Sequence, residues 1–129
     1  MTRQAVSTTG APGAVGPYSQ AIVTDDLVFC SGQVGLDPAT GQLVTGGVEA
    51  EAERVIRNLE AVLDAAGCTL ADVVKTTCFL ADIADFQKFN AVYAGFWPDP
   101  PPARSTFQVA ALPRGAQVEI EAIAVRNRS

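Results

Sequence analysis

The amino-acid sequence predicts an α+β fold, one sheet with two helices packed on one face. Three observations carry this. β-rich and helix-periodic segments follow one another roughly as β-β-β-α-β-α-β-β. Both helical segments lie between strands, as in a split βαβ unit, which places them on the same side of the sheet. The chain has 129 residues, 48% hydrophobic and 18% charged, enough for one core and too few for two domains. A single domain over residues 1–129 is the expectation.

The stretch to Pro17 is rich in Gly, Pro, Ala and Thr and reads as a short strand or arm followed by a loop. Ser19–Thr24 and Leu27–Ser31 are β-rich runs separated by Asp25-Asp26, a gap of hairpin length. Gly32, Gly35, Asp37-Pro38 and Gly41 then punctuate a long loop. Val48–Ala66 is a helix. Val55, Ile56, Leu59, Val62, Leu63 and Ala66 recur at its period, and Gly67 can end it in a left-handed conformation. Val73–Leu80 is rich in β-branched residues and reads as a strand. A second helix is expected from Ile83 to Trp97, with Asp82 as N-cap and Asp85 complementing the dipole. Ile83, Phe86, Phe89, Tyr93 and Phe96 form its stripe, and Pro98 stops it. Pro98-Asp99-Pro100-Pro101 is a short, stiff linker. Arg104–Val109 and Val118–Val125 are the last two strands, around Leu112-Pro113-Arg114-Gly115.

The other face of the sheet is mixed. In the last strand Val118, Ile120, Ala122 and Ala124 point one way, and Glu119, Glu121, Ile123 and Val125 the other. Ser31 and Gln33 are expected on one face with Leu27 and Phe29. A solvated face would be more uniformly polar, so this one suits burial against another subunit, with its polar groups lining a cleft. Heterologous contacts that close give rings.

Composition excludes several functions. Nine basic against fourteen acidic residues give a net charge of -5, which disfavours nucleic acid as a partner. No apolar run approaches the ~20 residues of a membrane span, and the first twenty residues contain no secretory signal. Histidine is absent, which removes the commonest metal ligand and the commonest general base. Cys30, Cys68 and Cys78 form no CxxC pair. They read as reduced, buried thiols in a cytoplasmic protein, with no metal site.

Carboxylate, arginine, hydroxyl and backbone groups remain for chemistry. Arg104 starts a strand and is either a solvated surface group or a bidentate clamp for a carboxylate or phosphate. Glu119 and Glu121 share a face, where like charges raise a carboxylate pKa. They suit general acid–base work or a plain exposed rim. Asn90 lies on or beside the apolar stripe of the second helix, where Asn is a poor choice unless its amide has a task. That task is a helix-to-sheet hydrogen bond or a reach into a cleft. Tyr18 is a core aromatic or a lid. Ser31-Gly32-Gln33 offers a hydroxyl beside a residue without Cβ, which a ligand can approach.

Pro102-Ala103-Arg104-Ser105-Thr106-Phe107-Gln108-Val109, Leu112-Pro113 and Val118-Glu119-Ile120-Glu121-Ala122-Ile123-Ala124 closely resemble the C-terminal signature of the Rid family, the reactive intermediate deaminases, also called YjgF. Gly16-Pro17-Tyr18-Ser19-Gln20-Ala21, Ser31-Gly32-Gln33, Asn58-Leu59, Ala65-Ala66-Gly67 and Asp85–Tyr93 look like further family blocks in the right order, so the likeness spans about Gly10 to Arg126. The resemblance implies a chorismate-mutase-like fold, a homotrimer, and ligand clefts between subunits. It implies hydrolysis of enamines and imines, such as 2-aminoacrylate and related 2-imino acids, to a keto acid and ammonia, with no cofactor and no metal. Arg104 matches the arginine that holds the substrate carboxylate, and Glu119 the glutamate associated with the hydrolytic water. Tyr18, Ser31, Gly32 and Asn90 match other substrate-binding positions. Thr106 stands where many members have Cys, at a substrate-binding position that matters less if its backbone amide makes the contact. The Pro98–Pro101 linker is shorter than usual, and Pro101 replaces a common aromatic, which bears on cleft size. The alternatives are a small-ligand-binding or regulatory protein without significant turnover, and an endoribonuclease or translation inhibitor. The net charge and the absence of histidine argue against the latter.

Overall fold

The computed structural model describes residues 2–126. Strands β1 (Gln4–Val6), β2 (Ala21–Thr24) and β3 (Leu27–Val34) lead into helix α1 (Gly47–Ala65). Strand β4 (Val73–Leu80), helix α2 (Phe86–Tyr93), strand β5 (Ala103–Gln108) and strand β6 (Val118–Val125) follow. The six strands form one sheet in the order β1-β2-β3-β6-β4-β5. The β4–β5 pair is parallel, and the other neighbours are antiparallel. The last strand therefore enters the middle of the sheet, which is why its apolar alternation is so regular. Val118, Ile120, Ala122 and Ala124 are buried beneath the helices. Among the described residues no helix is long and apolar enough to cross a membrane.

Helix α1 packs on β3, β6 and α2, so both helices cover the same face, as the element order predicts. Val55, Ile56, Leu59, Val62 and Leu63 are fully buried in it. Burying each such side chain contributes roughly 1.5–3 kcal/mol. Gly67, at φ +83°, closes the helix. Its N–H donates to the Asp64 carbonyl at 3.0 Å and the Cys68 N–H to the Leu63 carbonyl at 2.8 Å. This is the paired cap that a left-handed glycine permits.

Two elements differ from expectation. The helix expected over Ile83–Trp97 is regular only from Phe86 to Tyr93, with tight 3₁₀ turns at Ile83–Asp85 and Ala94–Phe96. Asp82 does cap it, accepting from the Ala84 N–H at 2.9 Å, but the turn it starts is narrow. The Ile83 N–H is tethered to Gln108 Oε1 at 2.9 Å, and Ile83 is 47% exposed, so it leaves the stripe. Strand β3 runs past Ser31 to Val34, because an irregularity lets the chain stay paired to β6 through Gly32.

The face away from the helices is the mixed one. Leu27, Phe29, Phe107 and Val125 are 38%, 42%, 45% and 42% exposed on it. Phe79 and Phe107 meet edge to face with centroids 5.3 Å apart. Glu121 stands opposite Thr77 between these apolar groups. Three thiols, Cys30, Cys68 and Cys78, are free and buried.

Candidate functional site

The irregularity in β3 builds the first half of the site. Cys30 lies opposite Ala122 and Gln33 opposite Ile120, so Ser31 and Gly32 share the one intervening position, Glu121. Two residues against one is a β-bulge, which re-aims side chains. It turns Gln33 onto the helix side, where it is 6% exposed, correcting the expectation that Gln33 shares a face with Leu27 and Phe29. It also brings the Gly32 backbone against Glu119. A Cβ at residue 32 would overlap the Glu119 carboxylate, with its Cδ at 2.9 Å and its Cγ at 3.1 Å. Gly32 is needed for room.

Glu119 lines a cavity of about 430 Å³ with Tyr18, Gly32, Leu36, Pro113 and Arg114. Burial raises its pKa first, and the neighbouring Glu121 charge raises it further. A carboxylate so placed is a stronger base than one in water. Tyr18 is 51% exposed at the rim, so it is not a core aromatic. Its hydroxyl accepts from the Val15 N–H at 3.2 Å, which curls the loop over the cavity. Ser31 Oγ donates to the Ser19 carbonyl at 2.6 Å. Its proton holds the Tyr18 loop down, and lone pairs are what it has left for a ligand.

Arg104 builds the second half, on the opposite face. It lies opposite Thr76 in the parallel β4–β5 pair, and Thr76 lies opposite Ala122, so Arg104 points to the helix side. Its Nη1 donates to Asn90 Oδ1 at 2.8 Å. Asn90 thus makes the helix-to-sheet bond, and through it orients the guanidinium. The arginine carbon sits 4.8 Å from the Tyr93 ring centroid, 5.6 Å from that of Phe86 and 5.7 Å from that of Phe89. No carboxylate among the described residues is in ion-pair reach of it. Arg104 borders a second cavity of about 400 Å³ with Tyr93, Trp97, Pro98, Pro101 and Pro102. The linker does border this cavity. Thr106 lies two residues along β5, opposite Cys78, with its hydroxyl turned inward.

Within one chain the expected residues therefore fall into two groups. Tyr18, Gly32 and Glu119 come together around one cavity, with Ser31 behind them. Arg104, hydrogen-bonded to Asn90, borders another, beyond the sheet. Burial pushes the Cys30 thiol up to about 12, and Cys78 to about 11 although the Thr76 hydroxyl offsets part of it, which disfavours the thiolate at both.

Sequence reasoning missed three contributors. Gln20 is buried, takes the Thr8 N–H at 2.7 Å and donates to the Thr8 and Pro12 carbonyls at 3.1 and 2.8 Å. It pins the arm whose Pro12 and Gly13 line the Glu119 cavity. Asn58, fully buried in α1, donates to the Val34 and Leu36 carbonyls at 3.2 and 2.9 Å and fixes the end of β3. A mid-helix Asn is the same signal that singles out Asn90. Arg114 adopts φ 63° and donates to the Gly41 carbonyl at 2.9 Å, closing one wall. A non-glycine residue in that region has no sequence signature.

Residues 8–126 match the model of the family described as Endoribonuclease L-PSP. The chain is 56% identical to a mouse 2-iminobutanoate/2-iminopropanoate deaminase, covering 97% of this chain and 93% of that protein. The human protein of that name is 50% identical over 98% of this chain and 93% of its own. Among solved structures, Escherichia coli TdcF with bound serine superposes with a TM-score of 0.91 at 40% identity, covering 96% of this chain and 99% of TdcF.

Proposed function

The chain belongs to the Endoribonuclease L-PSP family, to which the Rid deaminases are assigned, and from that membership we propose that it hydrolyses 2-imino acids and their enamine tautomers to 2-keto acids and ammonia. Its α+β fold, a single sheet with two helices on one face, is the chorismate-mutase-like fold of its structural neighbours. The observation that carries the activity is the half-buried Glu119 carboxylate, made more basic by burial and the Glu121 charge and given room in a ligand-sized cavity by Gly32, in a chain so similar to imine deaminases.

The substrate carboxylate binds the free N–H groups of Arg104, whose fork suits two parallel hydrogen bonds. Glu119 takes a proton from water as its oxygen adds to the C=N carbon. That proton passes to the nitrogen, giving the neutral carbinolamine, whose hydroxyl proton then moves to the nitrogen through water as the C–N bond breaks and ammonia leaves. Water and imine become keto acid and ammonia, and Glu119 is regenerated. Such imines also hydrolyse in free solution, so positioning and one proton transfer are what the protein supplies. Tyr18, Ser31, Gly32, Asn90 and Thr106 shape and hold the cleft.

A cleft containing both Arg104 and Glu119 requires a second subunit, because the sheet separates them within one chain. The exposed Leu27, Phe29, Phe107 and Val125 supply an apolar face for that contact. We therefore read the working form as a homotrimer, a heterologous ring with three clefts. Three free buried thiols support a reducing compartment, the cytoplasm.

The test is imine hydrolysis, with imines generated in place by an amino-acid oxidase and loss of imine followed against buffer alone. Acceleration of keto-acid formation is expected, and its absence with every imine tried overturns the reading. The serine held by TdcF favours a second reading, carboxylate binding without turnover. Ligand binding with no acceleration would establish it. Clean RNA cleavage that vanished in Glu119→Ala would make the chain an endoribonuclease instead.

A further inference from the structure

Arg104 has one side-chain hydrogen-bond partner among the described residues, Asn90 Oδ1. One bond fixes a distance and leaves the plane of the guanidinium free to turn. A two-pronged grip on a carboxylate needs that plane fixed as well. The rest of its surroundings are rings. Tyr93 is the nearest at 4.8 Å, with Phe86 and Phe89 at 5.6 and 5.7 Å, all within the ~6 Å over which a cation is held by a ring face.

Of these rings Tyr93 is the one fixed at both ends. It is 6% exposed and packs against Phe89 and Trp97, with centroids 5.4 and 5.1 Å away. Its hydroxyl lies 2.7 Å from Thr76 Oγ1, and Thr76 is fully buried. Thr76 is also the register partner of Arg104 across the β4–β5 pair. The contacts close a circuit from Arg104 to the Tyr93 ring, to Thr76, and through the strand pair back to Arg104. A core tyrosine needs a partner for its hydroxyl, but it does not need the strand residue beside an arginine whose guanidinium lies over its ring.

We propose that Tyr93, locked by Thr76, is a positioning residue that sets the plane of the Arg104 guanidinium for the substrate carboxylate. The inference rests on Arg104 being the carboxylate clamp. Tyr93 acts through Arg104, and its contribution is to binding of the charged end, shared by ground and transition states.

The experiment compares wild type with Tyr93→Leu, Tyr93→Phe and Arg104→Ala. Kinetics use 2-iminobutanoate. Inhibition uses 2-oxobutanoate and its uncharged analogue 2-oxobutanamide. Tyr93→Leu removes the ring and should raise KM about tenfold while kcat stays within about twofold, the signature of lost uniform binding. 2-Oxobutanoate should weaken by the same factor and 2-oxobutanamide hardly at all. Tyr93→Phe keeps the ring, loses the lock, and should recover most of the affinity, with KM about two- to threefold above wild type. Equal weakening of both inhibitors in Tyr93→Leu overturns the proposal, because that is what a merely structural ring would do. So does a fall in kcat at unchanged KM. If Tyr93→Leu fails to fold, Thr76→Val and Tyr93→Phe carry the test, and unchanged KM in both overturns it. If Arg104→Ala keeps its affinity for 2-oxobutanoate, the clamp reading itself is wrong, a separate result.

Discussion

Gly32→Ala is the most informative single change, because it moves Glu119 without removing it. A Cβ at residue 32 would overlap the carboxylate and lie 2.9 Å from Cδ and 3.1 Å from Cγ of Glu119. Carbon atoms pack at ~3.5–4.0 Å, and the carboxylate oxygen is nearer still, so the carboxylate end must retreat by about 1 Å or more. Gly32 does not occupy the left-handed region, so alanine brings no backbone strain there. A shift of ~1 Å in a catalytic group can cost ~100-fold, and a positioned base contributes ~100- to 10,000-fold in all. kcat should therefore fall about 30- to 100-fold, equivalent to about 2–2.7 kcal/mol in the barrier. KM should hold within about twofold, since Arg104, which another subunit brings to the cleft, keeps its hydrogen bond to Asn90. Stability should barely move. Alanine stiffens the unfolded chain by about 0.4–1 kcal/mol, against a rotamer adjustment of about 0.5–1.5 kcal/mol in Glu119. The assay is imine-hydrolysis kinetics and thermal melting on Gly32→Ala, Glu119→Gln and the double variant. Glu119→Gln alone should lose turnover while still binding carboxylates, and the double variant should be no slower than it. Wild-type kcat in Gly32→Ala, or a further large loss when it is added to Glu119→Gln, refutes the reasoning.

Three other outcomes follow from the same geometry. Glu119 must be ionised to act as a base, and burial with the Glu121 charge raises its pKa, so turnover should fall as pH drops through a value above the ordinary carboxylate range. Glu121→Gln removes the second cause and should shift that acidic limb of the kcat profile to lower pH; a limb that stays put means Glu119 is not the titrating group. Arg104→Ala should reduce kcat/KM by at least ~100-fold, and Arg104→Lys nearly as much, because an ammonium keeps the charge but lacks the fork. Near-normal kcat/KM in Arg104→Lys would show the fork to be dispensable. Light scattering at micromolar concentration should give the mass of a trimer, and a monomer mass would remove the inter-subunit cleft.

The sequence by itself determined what depends on spacing along one segment. The period of Val55, Ile56, Leu59, Val62 and Leu63 settles helix α1 and its buried side. The alternation in Val118–Val125 settles that Glu119 and Glu121 share a face, because successive residues of a strand point opposite ways. The resemblance in Pro102–Val109 and Val118–Ala124 singles out Arg104 and Glu119 as the charged pair. Only the tertiary structure decided how these segments are phased against one another. Parity within a strand says nothing about which side of the sheet a neighbour's odd residues take, since that depends on register. The bulge at Ser31–Gly32 exists only relative to β6, and it alone puts Gln33 in the core and the Gly32 backbone against Glu119. The β4–β5 register alone puts Arg104 on the helix side, where Asn90 and Tyr93 reach it and Glu119 does not. The same holds for Ser31, whose proton goes to the Ser19 carbonyl. Hydrogen bonds are made between groups brought together by pairing and packing, and the order of residues along the chain does not contain those distances.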